Sequence, residues 1–398
     1  MTTTSDILVI GLGAVGSSTL YQAAKLGARA IGIDRFHPPH DLGSSHGETR
    51  ITRQAIGEGR EYVPLVLRSN QIWEELEAAT GRSLLTRNGA LILQSPHTVG
   101  EHHGSTSFLG DTIGAAQANR IAHEVLSTAE IGRRYPQFRL EDDETGYFEP
   151  GAGFLRPEAC IETQLAQAAA RGADIRTGES VTNIDVAGQS VDVTTDRATY
   201  SAGRAILAAG PWVGNFLPVH IAQHLRVYRQ VLTWFALASN SEAYTPQRFP
   251  VFIWITGNRP SDMFYGFPTI DGAGHGIKTA TERYDTVIDP DQVERNVSDD
   301  EIASLHANYI ASRLPDVSAR CLRAATCMYT VAPVARFVLD QADEEGRVLF
   351  ASACSGHGFK HSAAVGEALA RRALHLPDVV NLAPFSASHL PGGGPTAA

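Results

Sequence analysis

Short apolar runs alternate with a stretch of small residues over positions 1–34. Apolar residues 7–10 and 30–33 predict two buried strands, and the Ala- and Leu-rich residues 17–26 predict a helix between them. The letters GLGAVG at 11–16 separate the first strand from the helix, and Asp34 ends the second strand. The order of strand, glycine turn, helix, strand and acid predicts a dinucleotide-binding βαβ unit.

Each part of this unit has a physical role. Gly11 permits the tight turn, Gly13 lets the backbone approach a pyrophosphate, and Gly16 lets the helix and strand pack closely. The helix N-terminus offers free N–H groups to the phosphates, and Asp34 accepts hydrogen bonds from a ribose diol. The alternative is a glycine-rich turn with a structural role only. The unit does not separate NAD from FAD, although nucleotide-domain signals that return in the middle and at the end of the chain favour a retained flavin.

Periodicity and turn residues predict further elements along the chain. Two segments have weak patterns: residues 36–53 are loop-like, and residues 95–118 are rich in Gly, Ser, Thr and His. We expect the second segment, which holds His102 and His103, to be exposed. The clearest predicted elements are helices at 61–79, 159–171 and 361–375, short strands at 90–93, 205–209 and 348–351, and a β-hairpin at 181–193.

From residue 227 onward, aromatic strand-like runs between Pro, Gly and Asn turns predict a largely antiparallel sheet. The predicted fold class is therefore α/β (α+β), with a Rossmann-like nucleotide-binding domain built from separated segments and an inserted substrate domain based on a mainly antiparallel sheet. The 398 residues are enough for two domains. We assign residues 1–84, 146–217 and 327–390 to the first domain, 85–145 and 218–326 to the second, and 391–398 to a flexible tail.

The net charge of −10 and the lack of a Lys/Arg-rich run argue against nucleic acid or an anionic membrane as a partner. No apolar stretch has the length of a membrane span, and residues 1–5 lack the features of a signal peptide, so we expect a cytoplasmic protein. The four cysteines form no CxxC pair, which agrees with a reducing compartment. The pairs His37/His40 and His102/His103 match no ligand set, and we expect no metal site.

Six short motifs, in order along nearly the whole chain, match one family. They are PPH at 38–40, GSSHGETRITR at 43–53, GEGREYVPL at 57–65, YGFP at 265–268, CMYT at 327–330 and SGHGFK at 355–360. On these residues the chain resembles the monomeric sarcosine oxidase and N-methyltryptophan oxidase family of flavoproteins. Each motif alone is short, but six in the same order make chance similarity a poor explanation.

The resemblance implies FAD as the cofactor, tethered covalently through the sulfur of Cys327, with Arg50 as the flavin-side arginine. A free cysteine is more often a small buried hydrophobic residue, which is the alternative for Cys327 and the interpretation we give to Cys160, Cys321 and Cys354. The predicted cofactor-binding residues are Gly11, Gly13, Gly16, Asp34, Arg35, Ser44, Ser45, Arg50, Val181, Cys327, Gly356, Gly358 and Lys360.

The resemblance also implies roles at the substrate. Arg53 and Lys360 are similar to the pair that holds a substrate carboxylate, which needs charged donors against its desolvation in an apolar pocket. Lys278 aligns with the lysine that assists O₂ reduction, where its charge stabilises the negative charge that develops on oxygen. Tyr265 and Tyr329 are expected as pocket walls or hydrogen-bond donors. The alternatives are surface salt bridges for the cations and core packing for the tyrosines.

The chain departs from the family pattern at three places. The family has a pocket histidine four residues beyond the lysine, where this chain has Glu282, which we expect in the catalytic pocket. An acid favours a cationic amine more than a neutral one, so Glu282 indicates a larger or more basic substrate. His361 replaces an apolar aromatic residue, and residues 331–336 lack an acidic pair.

We therefore expect an FAD-dependent oxidase of secondary or N-methyl amino acids that acts as a monomer. A hydride equivalent would leave the carbon next to nitrogen for flavin N5, the imine would hydrolyse, and O₂ would be reduced to H₂O₂. The alternatives are an NAD(P)-dependent dehydrogenase, a flavin-dependent amine dehydrogenase with another acceptor, a non-catalytic nucleotide-binding regulator, and an oxidase of a larger amine such as a cyclic or glycated amino acid.

Overall fold

The computed structural model describes residues 3–98, 100–141 and 143–391. The predicted flexible tail lies outside the described residues beyond Pro391. The strands of the described part are β1 (Thr3–Ile10), β2 (Ala30–Asp34), β3 (Arg50–Thr52), β4 (Leu85–Thr86), β5 (Ala90–Gln94), β6 (Glu124–Ser127), β7 (Thr145–Glu149), β8 (Gly153–Leu155), β9 (Asp174–Thr177), β10 (Val181–Ala187), β11 (Ser190–Thr195), β12 (Thr199–Leu207), β13 (Arg226–Leu237), β14 (Val251–Ile255), β15 (Met263–Gly266), β16 (Ile277–Thr281), β17 (Val317–Val331), β18 (Val338–Gln341) and β19 (Val348–Ser352).

The α-helices are shorter in total than the strands, and short 3₁₀ turns connect several elements. Within the described residues, no helix has the length and apolar character needed to cross a membrane. The helices are α1 (Ala14–Lys25), α2 (Val63–Thr80), α3 (Phe108–Ala118), α4 (Thr128–Arg134), α5 (Pro157–Ala169), α6 (Val219–Ala222), α7 (Asp299–Leu305) and α8 (Ser362–Ala373).

The first sheet contains the predicted nucleotide-binding unit. β1 pairs in parallel with β2 on one side and with β12 on the other, and α1 connects β1 to β2. β12 changes neighbour along its length, because its first half pairs antiparallel with β11 and its second half pairs in parallel with β19. β9 extends the sheet beyond β2, and β10 with β11 forms the predicted hairpin. The carboxyl ends of the parallel strands therefore meet at one edge, where sheets of this type bind ligands.

The second sheet has the strand order β17-β13-β16-β15-β14-β5-β7-β6, in which only β5 and β14 pair in parallel. The predicted fold class, a mixed α/β protein with a mainly antiparallel second sheet, is confirmed. β7 pairs in this sheet although most of it belongs to the segment assigned to the nucleotide-binding domain, and β17 crosses the assigned boundary at residue 327. A third, small sheet joins β3, β8 and β4.

Helices cover the first sheet through apolar faces. α1 packs against α5 and α8, and α2 packs against α8. The predicted stripe of α2 is buried at Leu65, Ile72 and Leu76, and the helix ends at Gly81, where φ is 69°. The weakly periodic segment 95–118 contains α3. The sequence pattern of this helix is weak because its buried residues are mostly small and give little contrast with their polar neighbours.

Candidate active site

One continuous cavity of about 510 Å³ joins the edge of the first sheet to the second sheet. It starts at the glycine turn after β1, passes Ser44, Ser45 and Arg50, and ends at Tyr265 on β15 and Lys360 before α8. Its volume lies in the usual range for small-molecule and cofactor sites. The two ends differ in chemistry, and we describe them as the nucleotide cradle and the charged pocket.

The nucleotide cradle consists of Gly11, Gly13, Gly16 and Asp34. Gly11 has φ 87°, and a Cβ there would lie 2.6 Å from the carbonyl oxygen of Ala208. A Cβ on Gly16 would lie 1.6 Å from the carbonyl oxygen of Gly11, so helix α1 can start this close to β1 only with glycine. Gly11, Gly13 and Asp34 line the cavity, whereas Gly16 acts behind them by permitting the close packing.

Asp34 is buried at the end of β2 and already accepts two backbone hydrogen bonds. Leu12 N–H donates to one carboxylate oxygen at 2.7 Å, and Phe36 N–H donates to the other at 2.7 Å. Burial raises the pKa of Asp34, against the lowering effect of these two hydrogen bonds. Each carboxylate oxygen keeps a second lone pair, so the residue is oriented and still able to accept from a ribose hydroxyl.

The other residues predicted to bind the cofactor follow the cavity between its ends. Arg35, Ser44, Ser45, Val181, Gly356 and Gly358 line it. Ser44 Oγ is buried and makes no hydrogen bond within the described residues, and Ser362 Oγ at the start of α8 is in the same state. Both serines line the cavity, so two unpaired hydroxyls and a helix N-terminus are available to a polar ligand there.

The charged pocket consists of Arg53, Glu58, His103, Glu282 and Lys360. The Arg53 guanidinium pairs with the Glu58 carboxylate, both side chains being 2% exposed, and it also donates to the Ala55 carbonyl oxygen. Lys360 Nζ lies 3.9 Å from Glu58 Oε1. The structure therefore brings together the two predicted carboxylate-binding cations and adds Glu58, an acid between them to which the sequence analysis gave no role.

Burial shapes the charges of this group. Burial lowers the pKa of Lys360 to about 7, with Glu58 opposing the effect and Arg53 adding to it. Burial alone would raise the pKa of Glu58, but the charge of Arg53, followed by that of Lys360, holds it well below its usual range. Glu58 is therefore ionised and compensates one of the two cations.

The expectation that His102 and His103 are exposed is wrong. His103 Nε2 lies 3.0 Å from Glu282 Oε2, and both side chains are 5% exposed. Burial lowers the pKa of His103, but the Glu282 charge and hydrogen bond outweigh burial, and the net direction is upward. The composition of this segment, rich in Gly, Ser and His, favours exposure to solvent. The pairing with Glu282 instead stabilises the His103 imidazole in the buried pocket. The predicted position of Glu282 in the pocket agrees with its place in the cavity lining.

Tyr265 and Tyr329 both line the cavity and form a hydrogen bond to each other, with their hydroxyl oxygens 3.2 Å apart. Burial raises the pKa of Tyr265 to about 12, and burial also raises the pKa of Tyr329. Both hydroxyls are therefore protonated at neutral pH, and because one O–H donates within the pair, the other O–H is available to a ligand.

A rear cluster of Arg50, Lys278 and Cys327 lies beside the cavity, and only Arg50 lines it. Arg50 Nη2 is 3.6 Å from Cys327 Sγ. Lys278 Nζ donates to the carbonyl oxygens of Gly47 at 2.7 Å and Thr49 at 2.8 Å. Burial, reinforced by the charge of Arg50, lowers the pKa of Lys278 well below its usual range. Lys278, a predicted catalytic residue, and Cys327, the predicted site of the covalent bond, therefore do not line the cavity and lie behind Arg50, which does.

Sequence reasoning missed several groups at the pocket, namely Glu58, His103, His357 and Phe108. The Arg53 guanidinium lies over the Phe108 ring at 5.2 Å, and the His357 ring is 5.8 Å from the His103 ring. Glu58 belongs to the motif GEGREYVPL at 57–65, and its position five residues after Arg53 is the signal that could have identified it. Within the described residues, no group of three or more His, Cys, Asp and Glu side chains is arranged to hold a metal ion.

Comparisons with known proteins agree with this arrangement. The model of the FAD-dependent oxidoreductase family (DAO) matches residues 6–372. The monomeric sarcosine oxidase of Streptomyces avermitilis is 36% identical over 375 residues, which cover 94% of this chain and 94% of that protein. The N-methyl-L-tryptophan oxidase of Yersinia pestis is 35% identical over 392 residues, which cover 96% of this chain and 98% of that protein.

The chain belongs to this family of FAD-dependent oxidoreductases. The predicted resemblance to the monomeric sarcosine oxidases and N-methyltryptophan oxidases is thereby confirmed, and the protein is an FAD-dependent enzyme of the sarcosine oxidase type, the class that acts on CH–NH donors. Among solved structures, the open form of NikD, an unusual amino acid oxidase essential for nikkomycin biosynthesis, matches with a TM-score of 0.82 over 97% of this chain and 98% of that chain. At 23% identity, this match supports the fold alone.

The residues of the cavity fit FAD. The nucleotide cradle has the tight turn at Gly11, where a Cβ would meet the Ala208 carbonyl oxygen, and Gly13 lines the cavity at the start of α1, where the backbone could approach a pyrophosphate. The unpaired hydroxyls of Ser44 and Ser362 and the oriented carboxylate of Asp34 supply polar partners. The cradle would hold the ADP part, and the apolar and aromatic surfaces toward Tyr265 would hold the ring.

Proposed function

We propose that this protein is an oxidase of secondary amino acids, with N-methyl amino acids as the preferred class and O₂ as the electron acceptor. The observation that carries the proposal is the charged pocket at the far end of the cofactor cavity. There, buried Arg53 and Lys360 share one compensating acid, Glu58. The relatives named above, a sarcosine oxidase and an N-methyl-L-tryptophan oxidase, support the same substrate class.

The charges of the pocket explain why it would select an amino acid. Arg53 and Lys360 carry two positive charges when protonated, and Glu58 compensates one of them. Within this group of three, one positive charge is left over, since Glu282 is paired separately with His103, and a substrate carboxylate would neutralise it in a site where water is largely excluded. An amine without a carboxylate would leave that charge uncompensated, so we expect it to bind poorly.

The remaining side chains position the substrate between these cations and the cofactor. Bound FAD supplies the hydride acceptor for the C–H bond next to nitrogen and returns the electron pair to O₂. The hydroxyls of Tyr265 and Tyr329 are protonated at neutral pH and bond to each other, so the remaining O–H of this pair would donate a hydrogen bond on one side of the substrate. Glu282 would face its amine end, and Lys278, buried in the rear cluster, would stabilise negative charge that develops on oxygen.

We also propose that FAD is bound covalently to Cys327 Sγ. The sulfur is buried in the rear cluster beside the cavity, and the Arg50 guanidinium at 3.6 Å is placed to stabilise negative charge on it. Arg50 both lines the cavity and touches the sulfur, so a modest movement of this one side chain would connect them. The name of the relative from Streptomyces avermitilis, a monomeric sarcosine oxidase, supports a monomer here as well.

A peroxide assay tests the proposed activity. Purified holoenzyme is mixed under air with sarcosine, N-methyl-L-tryptophan, N-methyl-L-alanine, L-proline and a fructosyl amino acid, and H₂O₂ is followed. We expect release with N-methyl amino acids and none with dimethylamine, a secondary amine that lacks the carboxylate. Anaerobic bleaching of the flavin without peroxide under air would identify a dehydrogenase instead, and no bleaching by any amine of the panel would refute the proposed function.

Acid precipitation tests the covalent bond. We expect the yellow chromophore in the pellet of the wild type and in the supernatant for Cys327→Ser. Cys321→Ser is the matched control, because Cys321 lies on the same strand β17 but away from the cavity, and it should keep the flavin in the pellet. Flavin in the wild-type supernatant would disprove the bond.

A further inference from the structure

His103 and Glu282 form a buried pair, of which the proposed function gives a role to Glu282 alone. His103 belongs to the segment before α3, and Glu282 directly follows β16, so two distant parts of the chain meet here. His103 Nε2 lies 3.0 Å from Glu282 Oε2, and the Tyr284 hydroxyl donates to the same oxygen. Both His103 and Glu282 line the cavity. This is the arrangement of an imidazole oriented by a carboxylate.

The second nitrogen of this imidazole has no partner. His103 Nδ1 is buried and makes no hydrogen bond within the described residues. The backbone at His103 has φ 50°, the left-handed region, which costs a non-glycine residue about 1–2 kcal/mol. The chain therefore holds His103 in an unfavourable conformation at the cavity wall, with one buried ring nitrogen unpaired among the described residues, which points to a ligand or a proton at that nitrogen.

The proposed function, on which this inference rests, requires a group that accepts a proton from the substrate. A secondary amine is an ammonium ion at neutral pH, since alkylammonium groups titrate near pH 10. In that form the nitrogen has no lone pair to assist departure of a hydride from the neighbouring carbon. One proton must therefore leave the bound substrate before the oxidation.

Most other lining groups are poor proton acceptors. Glu58 is committed to Arg53, and its pKa is held well below the usual range. Tyr265 and Tyr329 are protonated hydroxyls with raised pKa values. They are hydrogen-bond donors rather than bases at neutral pH.

The remaining nitrogen groups of the pocket are also unsuited. Lys360 donates to the His357 carbonyl oxygen at 2.8 Å and would be cationic beside a substrate carboxylate. Burial lowers the pKa of His357 well below its usual value, so this imidazole resists protonation. His103 is the neighbour whose pKa moves upward, because Glu282 outweighs burial.

We infer that His103, held by Glu282, is the base that accepts the ammonium proton of the substrate. The proton passes from the substrate nitrogen to His103 Nδ1, and the electron pair of the broken N–H bond stays on that nitrogen. His103 Nε2–H remains hydrogen-bonded to Glu282, so the imidazolium that forms is paired with a carboxylate. No other co-reactant is needed. The charged and titratable groups that face His103 are Glu282 and Tyr284 after β16, Glu58 before α2, and His357 and Lys360 before α8.

The test follows anaerobic bleaching of the flavin in the holoenzyme by sarcosine, from pH 5 to pH 10. In the wild type we expect the rate to rise with pH as His103 loses its own proton. For His103→Asn we expect a rate about 100-fold lower at pH 7, the usual range for loss of a general base being 10²–10⁴. The deficit should shrink to within about tenfold near pH 10, where the free amine is present without help.

A second variant moves the profile in a direction that a structural role would not produce. Glu282 raises the pKa of His103, so Glu282→Gln lowers it, and the rising limb of the rate profile should shift to lower pH. His102→Asn is the matched control. Its ring is also buried, but it lies outside the cavity lining and bonds the Gly257 carbonyl oxygen, so the profile should stay that of the wild type.

Binding of methylthioacetate, in which sulfur replaces the amine nitrogen, separates proton transfer from anion binding. It is titrated by the change in flavin absorbance, and His103→Asn should bind it within threefold of the wild type. Two results for His103→Asn would overturn the inference: a pH profile of bleaching like that of the wild type, or a loss of affinity for methylthioacetate while the rise of the rate with pH is unchanged. The second result would leave His103 as an anion-binding group. A wild type that neither sarcosine nor another N-methyl amino acid bleaches would instead refute the proposed function and the inference together.

Discussion

The two ends of the cavity are built in opposite ways. The nucleotide cradle comes from one continuous stretch, residues 11–34. It depends on backbone hydrogen bonds and on glycines whose lack of a side chain lets backbone segments approach closely. The charged pocket collects Arg53, Glu58, His103, Glu282 and Lys360 from distant segments, and its contacts are buried ion pairs. The cradle depends on space, whereas the pocket depends on a balance of charge. Each end should therefore fail under a different kind of substitution.

The largest effect is expected where a Cβ meets backbone. Gly16→Ala would place a methyl group 1.6 Å from the Gly11 carbonyl oxygen, so helix α1 must move away from β1. We expect the purified protein to hold less than about one tenth of the wild-type flavin, measured as the ratio of visible to ultraviolet absorbance. Gly132→Ala is the control, because a Cβ there meets nothing within 4 Å. Full flavin content in Gly16→Ala would show that close packing is not what the cradle requires.

The next effect tests the balance of charge in the pocket. Glu58→Gln keeps the shape but leaves buried Arg53 without a counter-charge, which costs about 3–5 kcal/mol of the free energy of unfolding. Urea unfolding of the ligand-free protein should detect the loss. Because a carboxylate ligand would replace the missing charge, methylthioacetate should raise the Tm of Glu58→Gln more than that of the wild type.

An exposed pair gives the comparison for this variant. Glu74 pairs with Arg87 at the surface, and Glu74→Gln should cost less than about 1 kcal/mol. Equal losses for Glu58→Gln and Glu74→Gln would mean that the buried network does not control stability.

Lys278 extends the comparison to the rear cluster. Lys278→Met removes a buried amino group beside Arg50 and leaves the substrate cations in place. We expect reoxidation of the reduced enzyme by air to slow roughly 100-fold, while anaerobic reduction stays near the wild-type rate, as for loss of one preorganised electrostatic group. Lys25→Met, at a surface pair with Glu75, should change neither rate. Stopped-flow absorbance measures both, and wild-type reoxidation in Lys278→Met would refute the assignment.

The smallest effect concerns pH. The pKa of Lys360 is lowered to about 7, so its positive charge is present below that pH and is lost as pH rises through it. The affinity of the wild type for methylthioacetate should therefore weaken about tenfold per unit above the transition. Lys360→Met should bind weakly at all pH values with a flat profile, whereas Arg53→Met should bind weakly and keep the slope. A slope in Lys360→Met would assign the titration to another group.

The same contrast explains what the sequence predicts. The cradle is local, so the glycine spacing and the acid at residue 34 were enough to place it, and strong periodicity was enough for α2, α5 and α8. Arg53 and Lys360 were found through family motifs, since nothing local marks a cation as buried. His103 was placed at the surface because its neighbours are Gly, Ser and Thr. The tertiary contact with Glu282 is what buries His103, and local sequence does not contain it. The sign in the sequence is Glu282 itself, a buried acid in place of the family histidine, which needs a partner.

Strand β17 has a mechanical consequence. It pairs with β13 from Val317 to Val331 and carries Cys327 near its end, so this sulfur belongs to the second sheet. A prosthetic group seated at the glycine turn and bonded to that sulfur would close the polypeptide into a ring across its two halves. The two sheets already share an apolar core, in which Val9 of the first sheet and Ile255 of the second belong to one buried cluster. The bond to Cys327 would add a covalent link to that core, so heat or force would have to disrupt both before the two sheets could separate.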